Sequence, residues 1–418
     1  MRAGYRIQYG LPRAPGTRRE VRTTGRRAAL RDSQEEWLLR IPFAAWVDIS
    51  GGRKPLLTLL SLSVLGMLGL TLTIVRFYPA GFTPGMCPLV MLFVALSGCG
   101  IATFSVGIGQ VSYWHPKAKQ GKALGIYGGV GNLAPGIFTL ILSLAQTALG
   151  LAGAYLAWLV ILIAGTALYY VYGINAPYFQ LRGHGLAPEE ARRAAAGVGQ
   201  VMFPAGNVRE SLVASARVWQ TWVLVAIYFS TFGGFIALTS WLPTYWKSFM
   251  GAQSVMLVGA LTAAYSIAAL LFRVWGGSLS DRLGGERTVI MALVAMLAGS
   301  MVMIFSYNFG LSIAADLVMA LGMGVANAAV FKLVPKEVPQ AVGGASGWVG
   351  GLGAFGGFAI PPILGYIVNA AGKSGYAIGY VTYVLLALVS LGFTFALSRS
   401  EVRSAARQAS VGADAVKS

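Results

Sequence analysis

Arg40 sits in Trp37-Leu-Leu-Arg-Ile-Pro-Phe-Ala-Ala-Trp46, and Arg273 in Ala268-Ala-Leu-Leu-Phe-Arg-Val-Trp275. Both are flanked by apolar side chains. Eight residues after each comes an aspartate, Asp48 or Asp281, then a glycine pair, Gly51-Gly52 or Gly284-Gly285, with a basic residue close behind. A charged side chain at the centre of a membrane helix costs about 2.5–3.5 kcal/mol on insertion scales. A chain that carries two, in repeat-related positions, has a use for them. A guanidinium is planar, always charged, and offers paired donors to a planar oxyanion. Two of them facing each other across a cavity make a clamp for a small monovalent anion. The competing reading is that each snorkels or pairs with a nearby carboxylate. Asp48 and Asp281 are poor partners for that, because they lie two helical turns away.

The elements that must hold these arginines are membrane helices. Of the 418 residues, 56% are apolar and 11% are charged, where a soluble domain carries about 25% charged residues. The mean hydropathy is +0.66. These values and the long apolar runs define an all-α, polytopic membrane protein that lives in a lipid bilayer. The net charge of +18 does not point to nucleic acid, because the basic residues cluster in short loops and at the N-terminus instead of forming a stripe on a folded domain. Cys87 and Cys99 share one apolar run, about 18 Å apart on a helix, and cannot bridge. Two histidines and two cysteines without ligand spacing predict no metal. No phosphate-binding loop, cofactor motif or nucleophile–base constellation is present, so no cofactor and no enzymatic activity are expected.

Apolar segments are expected near 37–49 (too short to cross alone), 55–76, 88–113, 121–146, 151–173, 217–246, 254–280, 287–307, 310–333, 341–370 and 376–398, about 11 in all. They divide into a truncated N-terminal bundle (37–173), a loop (174–216) with a short helix at 188–196, a C-terminal bundle (217–399) and a tail (400–418). Residues 1–36 hold nine arginines and no apolar run. They lack a signal-peptide core and read as a misassigned start. Arg53, Lys54, Lys117, Lys119, Lys122, Arg182, Arg192, Arg193, Arg209, Arg282, Arg287 and Lys336 fall in alternate loops, which places those loops, the central loop and the C-terminal tail in the cytoplasm. Lys332 is expected to snorkel to that surface. Asp316 is expected near the opposite interface, where it is a weak candidate for carrying a proton.

The halves repeat each other. Gly125-x-x-Gly128-x-Val130-Gly131-x-Leu133 follows Pro116-Lys117, and Gly344-x-x-Gly347-x-Val349-Gly350-x-Leu352 follows Pro335-Lys336 at the same offset. Two repeated halves joined by a loop is the layout of carriers with a midplane site. On a helix, Gly128, Asn132 and Gly136 share a face, and small residues there let another helix or a ligand approach. Asn132 is the one hydrogen-bonding side chain on that face; it lines a site or bonds across to another helix. Ser346 is a modest polar candidate in the second glycine stretch.

Gly277-x-x-x-Asp281-Arg282-x-Gly284-Gly285 resembles the cytoplasmic motif of the major facilitator superfamily, so Asp48 and Asp281 read as latches between helices. The latch at Asp48 should be the weaker, since Ile49 stands where the motif has a basic residue. The chain over 37–399 resembles the superfamily's nitrate/nitrite porter family. Arg40-Ile-Pro, Arg273, Lys117-x-Lys119-Gln120-Gly121-x-Ala-Leu-Gly125, the Gly128-Gly-x-Gly-Asn132 signature and the glycines from Gly343 carry the resemblance. It implies a two-bundle transporter that binds nitrate or nitrite between Arg40 and Arg273. It also implies that Asn132 and Gly128 line the site, that Tyr228 and Phe232 are its aromatic pair, and that Phe104 is a gating aromatic. On their own these three rings read as packing. The family's first helix is absent, its second is cut to roughly its cytoplasmic half, and Pro135 stands where a kink could follow the signature. The implied activity is nitrate/nitrite exchange by a monomer in the cell's inner membrane. Exchange is favoured over nitrate/proton symport because no central carboxylate is visible. A carrier of a larger organic anion and an inactive truncated remnant are the alternatives.

Overall fold

The computed structural model describes residues 39–78, 81, 83–204 and 207–415, by their backbone alone at 84, 133–140, 142–144, 147, 255 and 400–415. The expectation for 1–36 lies outside the described residues. Among the described residues there is no strand, and nine helices are long and apolar enough to cross a membrane. A backbone in hydrocarbon must satisfy its own polar groups, which a helix does within one segment.

In chain order the helices are α1 (39–50), α2 (Arg53–Phe77), α3 (Cys87–Trp114), α4 (120–149), α5 (151–172), α6 (Pro177–Gly183), α7 (Pro188–Gly197) and α8 (Val208–Arg217). Then come α9 (Trp219–Phe249), α10 (Val255–Leu283), α11 (Gly285–Phe305), α12 (Phe309–Glu337), α13 (Val342–Ala354), α14 (Gly356–Ala371) and α15 (Val381–Ala415). Helices α4 and α5 form one run, Gln120–Tyr172, turned only at Gly150, whose φ of 69° suits glycine. The run keeps helical backbone angles through Pro135.

Four expectations differ from what forms. The segment at 217–246 is one helix, but π-helical over Phe229–Gly233 and Tyr245–Phe249. The segment at 341–370 is two helices that meet at Phe355. The last segment starts at Val381 and not at 376, because Gly372, Gly375 and Gly379 weaken the helix before it. The central loop holds three short helices where one was expected. The third, α8, starts with a capping box in which the Asn207 side chain accepts from the Glu210 N–H and the Glu210 carboxylate accepts from the Asn207 N–H.

The two halves meet through their glycines. Helix α4 of the first half packs on α10 of the second, where a Cβ on Gly125 would lie 2.9 Å from Gly277 Cα. Helix α13 of the second half packs on α1 of the first, where a Cβ on Gly347 would lie 2.8 Å from the Ile41 carbonyl oxygen. Each arginine helix is thus crossed by the other half's glycine helix, at a distance only small residues allow.

Candidate functional site

Helix α10 carries Arg273 into the interior, where it is 1% exposed. Its guanidinium carbon lies 5.3 Å from the centre of the Phe104 ring, 5.5 Å from Phe232 and 5.9 Å from Phe331. Nη2 donates to the Tyr228 hydroxyl at 3.5 Å, while Nε and Nη1 have no hydrogen-bond partner. Gly128 makes room for this arrangement. A Cβ there would fall 2.5 Å from Arg273 Nε and 2.7 Å from its guanidinium carbon.

Arg40, on α1, is 8% exposed. Its Nη1 donates to the Gly350 carbonyl at 3.0 Å, and its guanidinium carbon lies 6.0 Å from the same Phe104 ring. One ring therefore faces both charges. The negative face of an aromatic ring stabilises a cation by about 0.5–2 kcal/mol, which offsets part of the cost of holding two cations out of water.

The rings form a connected shell. Phe104 stacks on Tyr127 at 5.7 Å and on Phe232 at 6.2 Å, and meets Phe331 edge-on at 5.8 Å. Tyr228 stacks on Phe232 and meets Phe331 edge-on, both at 4.8 Å. Of the residues expected at the site, Arg40, Arg273, Phe104, Gly128, Tyr228 and Phe232 come together. Asn132 does not join them by its amide, which donates to the Gly128 carbonyl one turn back in its own helix at 2.5 Å. That bond is neither the site contact nor the interhelical bond expected of it. Ser346 is buried one turn before Gly350, and its Oγ has no partner.

Tyr127, Phe331 and Ser105 were missed. Phe331 lies next to Lys332 in an apolar stretch, with no local pattern to single it out. Tyr127 precedes Gly128 inside the glycine signature, and that adjacency was a usable signal. Ser105 follows Phe104, has an unpartnered Oγ, and would collide with a Cβ on Gly350.

Eight residues from each arginine, the two aspartates bond across to the other half. Asp281 accepts from the Gly121 N–H at 2.9 Å and the Lys122 N–H at 2.7 Å, and pairs with Lys332 Nζ at 2.5 Å. Those amides open α4, so the carboxylate sits on the positive end of a helix dipole from the other half. Lys332 is thus an ion-pair partner and not a free snorkelling lysine. Asp48 does the mirror-image task at the start of α13. It accepts from the Gly343 N–H at 2.9 Å, the Gly344 N–H at 3.2 Å, the Tyr113 hydroxyl at 2.5 Å and the Ser211 hydroxyl. Two hydroxyls and two amides stand here where Asp281 has two amides and a lysine. Both carboxylates are committed to these donors. The cavities at this end, 250 and 340 Å³, are lined by residues such as Trp46, Val208, Tyr178 and Arg192 and include neither buried arginine. Cys87 and Cys99 are unbridged, as their spacing requires.

Two halves crossed by each other's glycine helices, with two buried arginines between them, match the layout of secondary transporters. The model of the Major Facilitator Superfamily matches residues 36–361 and 252–415, and the chain belongs to that superfamily, among its nitrate/nitrite porters. It is 29% identical over 293 residues to the nitrite extrusion protein of Bacillus subtilis (strain 168), covering 70% of this chain and 67% of that protein. It is 31% identical over 299 residues to the probable nitrate/nitrite antiporter NarK1 of Thermus thermophilus, covering 66% of this chain and 64% of that protein. The chain therefore spans about two thirds of these relatives' length. Among solved structures, the proton:xylose symporter XylE superposes with a TM-score of 0.65 at 14% identity, over 89% of this chain and 87% of that one. That likeness shows the fold alone.

Proposed function

We propose that this chain carries nitrate and nitrite across the inner membrane by alternating access, in exchange for one another. The observation that carries the reading is the pair of buried guanidinia over one Phe104 ring, with two donors of Arg273 left open. The names of its relatives support the same substrates. A planar anion bridges Arg40 and Arg273, and the Tyr228 hydroxyl, already on Arg273, completes its shell. The rings of Phe104, Phe232 and Phe331 pack around Arg273, and Tyr127 stacks on Phe104, a shell that favours a small flat ion over a bulky carboxylate. Asn132 shapes that face by turning its amide onto the Gly128 carbonyl, and Ser346 offers a hydroxyl to the Arg40 side.

The bundles 37–173 and 217–399 rock about this site, with the basic end, central loop and C-terminal tail in the cytoplasm, and the Asp48 and Asp281 latches closing that side. The two guanidinium carbons lie at most about 11 Å apart, since both are measured from the same ring. At that distance and an effective dielectric of ~20 they repel by about 1.5 kcal/mol. A bound anion removes the repulsion, so a loaded carrier closes more readily than an empty one.

The test is uptake of labelled nitrate into proteoliposomes loaded with nitrite, beside empty vesicles. Uptake that depends on internal nitrite is expected. Uptake inhibited by bulky carboxylates and indifferent to nitrite would assign a different anion and overturn the reading.

A further inference from the structure

Ser105, on α3 directly after Phe104, is fully buried, and its Oγ finds no hydrogen-bond partner among the described residues. Other buried hydroxyls on these helices are satisfied locally. Ser112, on the same helix, donates to the Ile108 carbonyl at 2.8 Å, Thr231 to that of Ile227 at 2.9 Å and Ser300 to that of Met296 at 2.7 Å. Ser105 does not follow them. The chain just before it is a 3-10 turn, Cys99–Ala102, and the tighter winding changes where the preceding carbonyls point. A buried hydroxyl without a partner is unfavourable, and a native structure keeps one for a reason.

Its surroundings supply the reason. A Cβ on Gly350 of α13 would collide with Ser105 Oγ, and the same point lies 3.9 Å from Phe331 Cζ. The Gly350 carbonyl accepts from Arg40 Nη1 at 3.0 Å, and the Arg273 guanidinium carbon lies 5.9 Å from the centre of the Phe331 ring. Three residues earlier on α13, a Cβ on Gly347 would lie 2.8 Å from the carbonyl oxygen of Ile41, the residue after Arg40. The hydroxyl thus fills the space that a side chain at Gly350 would take. It stands between the backbone that anchors one arginine and a ring that packs on the other.

We infer that the Ser105 hydroxyl donates to the bound anion and favours nitrate over nitrite. An anion that bridges the two guanidinia gives one oxygen to each. Nitrite then has none left, while nitrate has a third within the reach of a hydroxyl. Facing nitrite, the same donor stays buried and unpaired, which counts against that ion. Only a hydrogen bond forms, and no covalent bond changes.

The inference rests on the proposed anion transport, and the experiment separates the two. Dissociation constants for nitrate and for nitrite are measured calorimetrically on purified wild type, on Ser105→Ala, and on Ser105→Ala combined with Gly350→Ser. Alanine at 105 takes no hydrogen bond from the fold, because Ser105 Oγ makes none there. The double variant returns a hydroxyl to the same space from the neighbouring helix, where the Ser105 Cβ leaves 3.5 Å of clearance. In S105A, nitrate binding is expected to weaken about tenfold and nitrite binding by less than about threefold. The double variant is expected to regain most of the nitrate affinity. Equal weakening of both anions, or no change in either, overturns the role of Ser105. A double variant that binds nitrate no better than S105A assigns the loss to packing and overturns it too. Wild type that binds neither anion overturns the anion reading instead.

Discussion

At the residue scale, charge and geometry have separable roles in the arginines. Arg40→Lys and Arg273→Lys keep the positive charge and lose the paired donors. A hydrogen bond to a charged group is worth about 1.5–3 kcal/mol, so nitrate exchange in either variant should fall roughly ten- to a hundredfold. Rates within twofold of wild type would remove the clamp from consideration. Gly128 tests the same site from the other side. Its missing Cβ is the space occupied by the Arg273 guanidinium, so Gly128→Val should displace that group and abolish exchange while the protein still inserts. Nitrate binding by the purified variant, measured calorimetrically, checks it. Most of these residues were legible because charge inside an apolar run is conspicuous. Phe331 was not, because a phenylalanine among apolar neighbours looks the same whether it packs against leucine or against a cation. Asn132 misled for a related reason. Its side chain can bond outward or back to its own helix, and composition does not distinguish the two.

At the element scale, the decisive contacts are helix starts. Asp281 accepts two amides at the head of α4, and Asp48 accepts two at the head of α13. Removing either carboxylate strands those donors and, at Asp281, an ion-paired lysine as well. Asp281→Ala should lower stability by about 3–5 kcal/mol if Lys332 is left charged and buried. Asp281→Ala with Lys332→Ala should cost less than the two single changes added, because the stranded charge goes with them. Thermal unfolding of the four proteins in one detergent measures the coupling, and simple additivity would mean the pair is inert. The Asp-to-glycine pattern singled out both aspartates in the sequence. Their strengths were ranked from the residue after the aspartate. The real partners, Ser211, Tyr113 and the distant glycine amides, lie 65 to 296 positions away and leave no local trace.

At the scale of the whole molecule, the proposed mechanism has the two buried cations make the empty carrier reluctant to close. Repulsion of about 1.5 kcal/mol corresponds to roughly a tenfold difference in rate. Without a proton gradient, nitrate should leave preloaded vesicles about tenfold more slowly into anion-free medium than into medium containing nitrite. Equal efflux would show that the empty carrier returns freely. Screening by external salt should leave the ratio nearly unchanged, because both guanidinia are buried and mobile ions act mainly on exposed charges.

The sequence by itself determined that the chain is helical, lies in a bilayer, repeats itself and carries two arginines inside apolar segments. Hydrophobic runs, glycine spacing and charge asymmetry are periodic or local signals, and each is written in a few adjacent residues. Only the tertiary structure decided that one ring faces both arginines, that each half's aspartate caps the other half's glycine helix, and that the Asp316 carboxyl is buried with one oxygen lacking a hydrogen-bond partner. Those facts depend on which helices cross and which face each turns inward, and burial turns the same carboxylate from a solvated surface group into a charge that must find a proton or a partner.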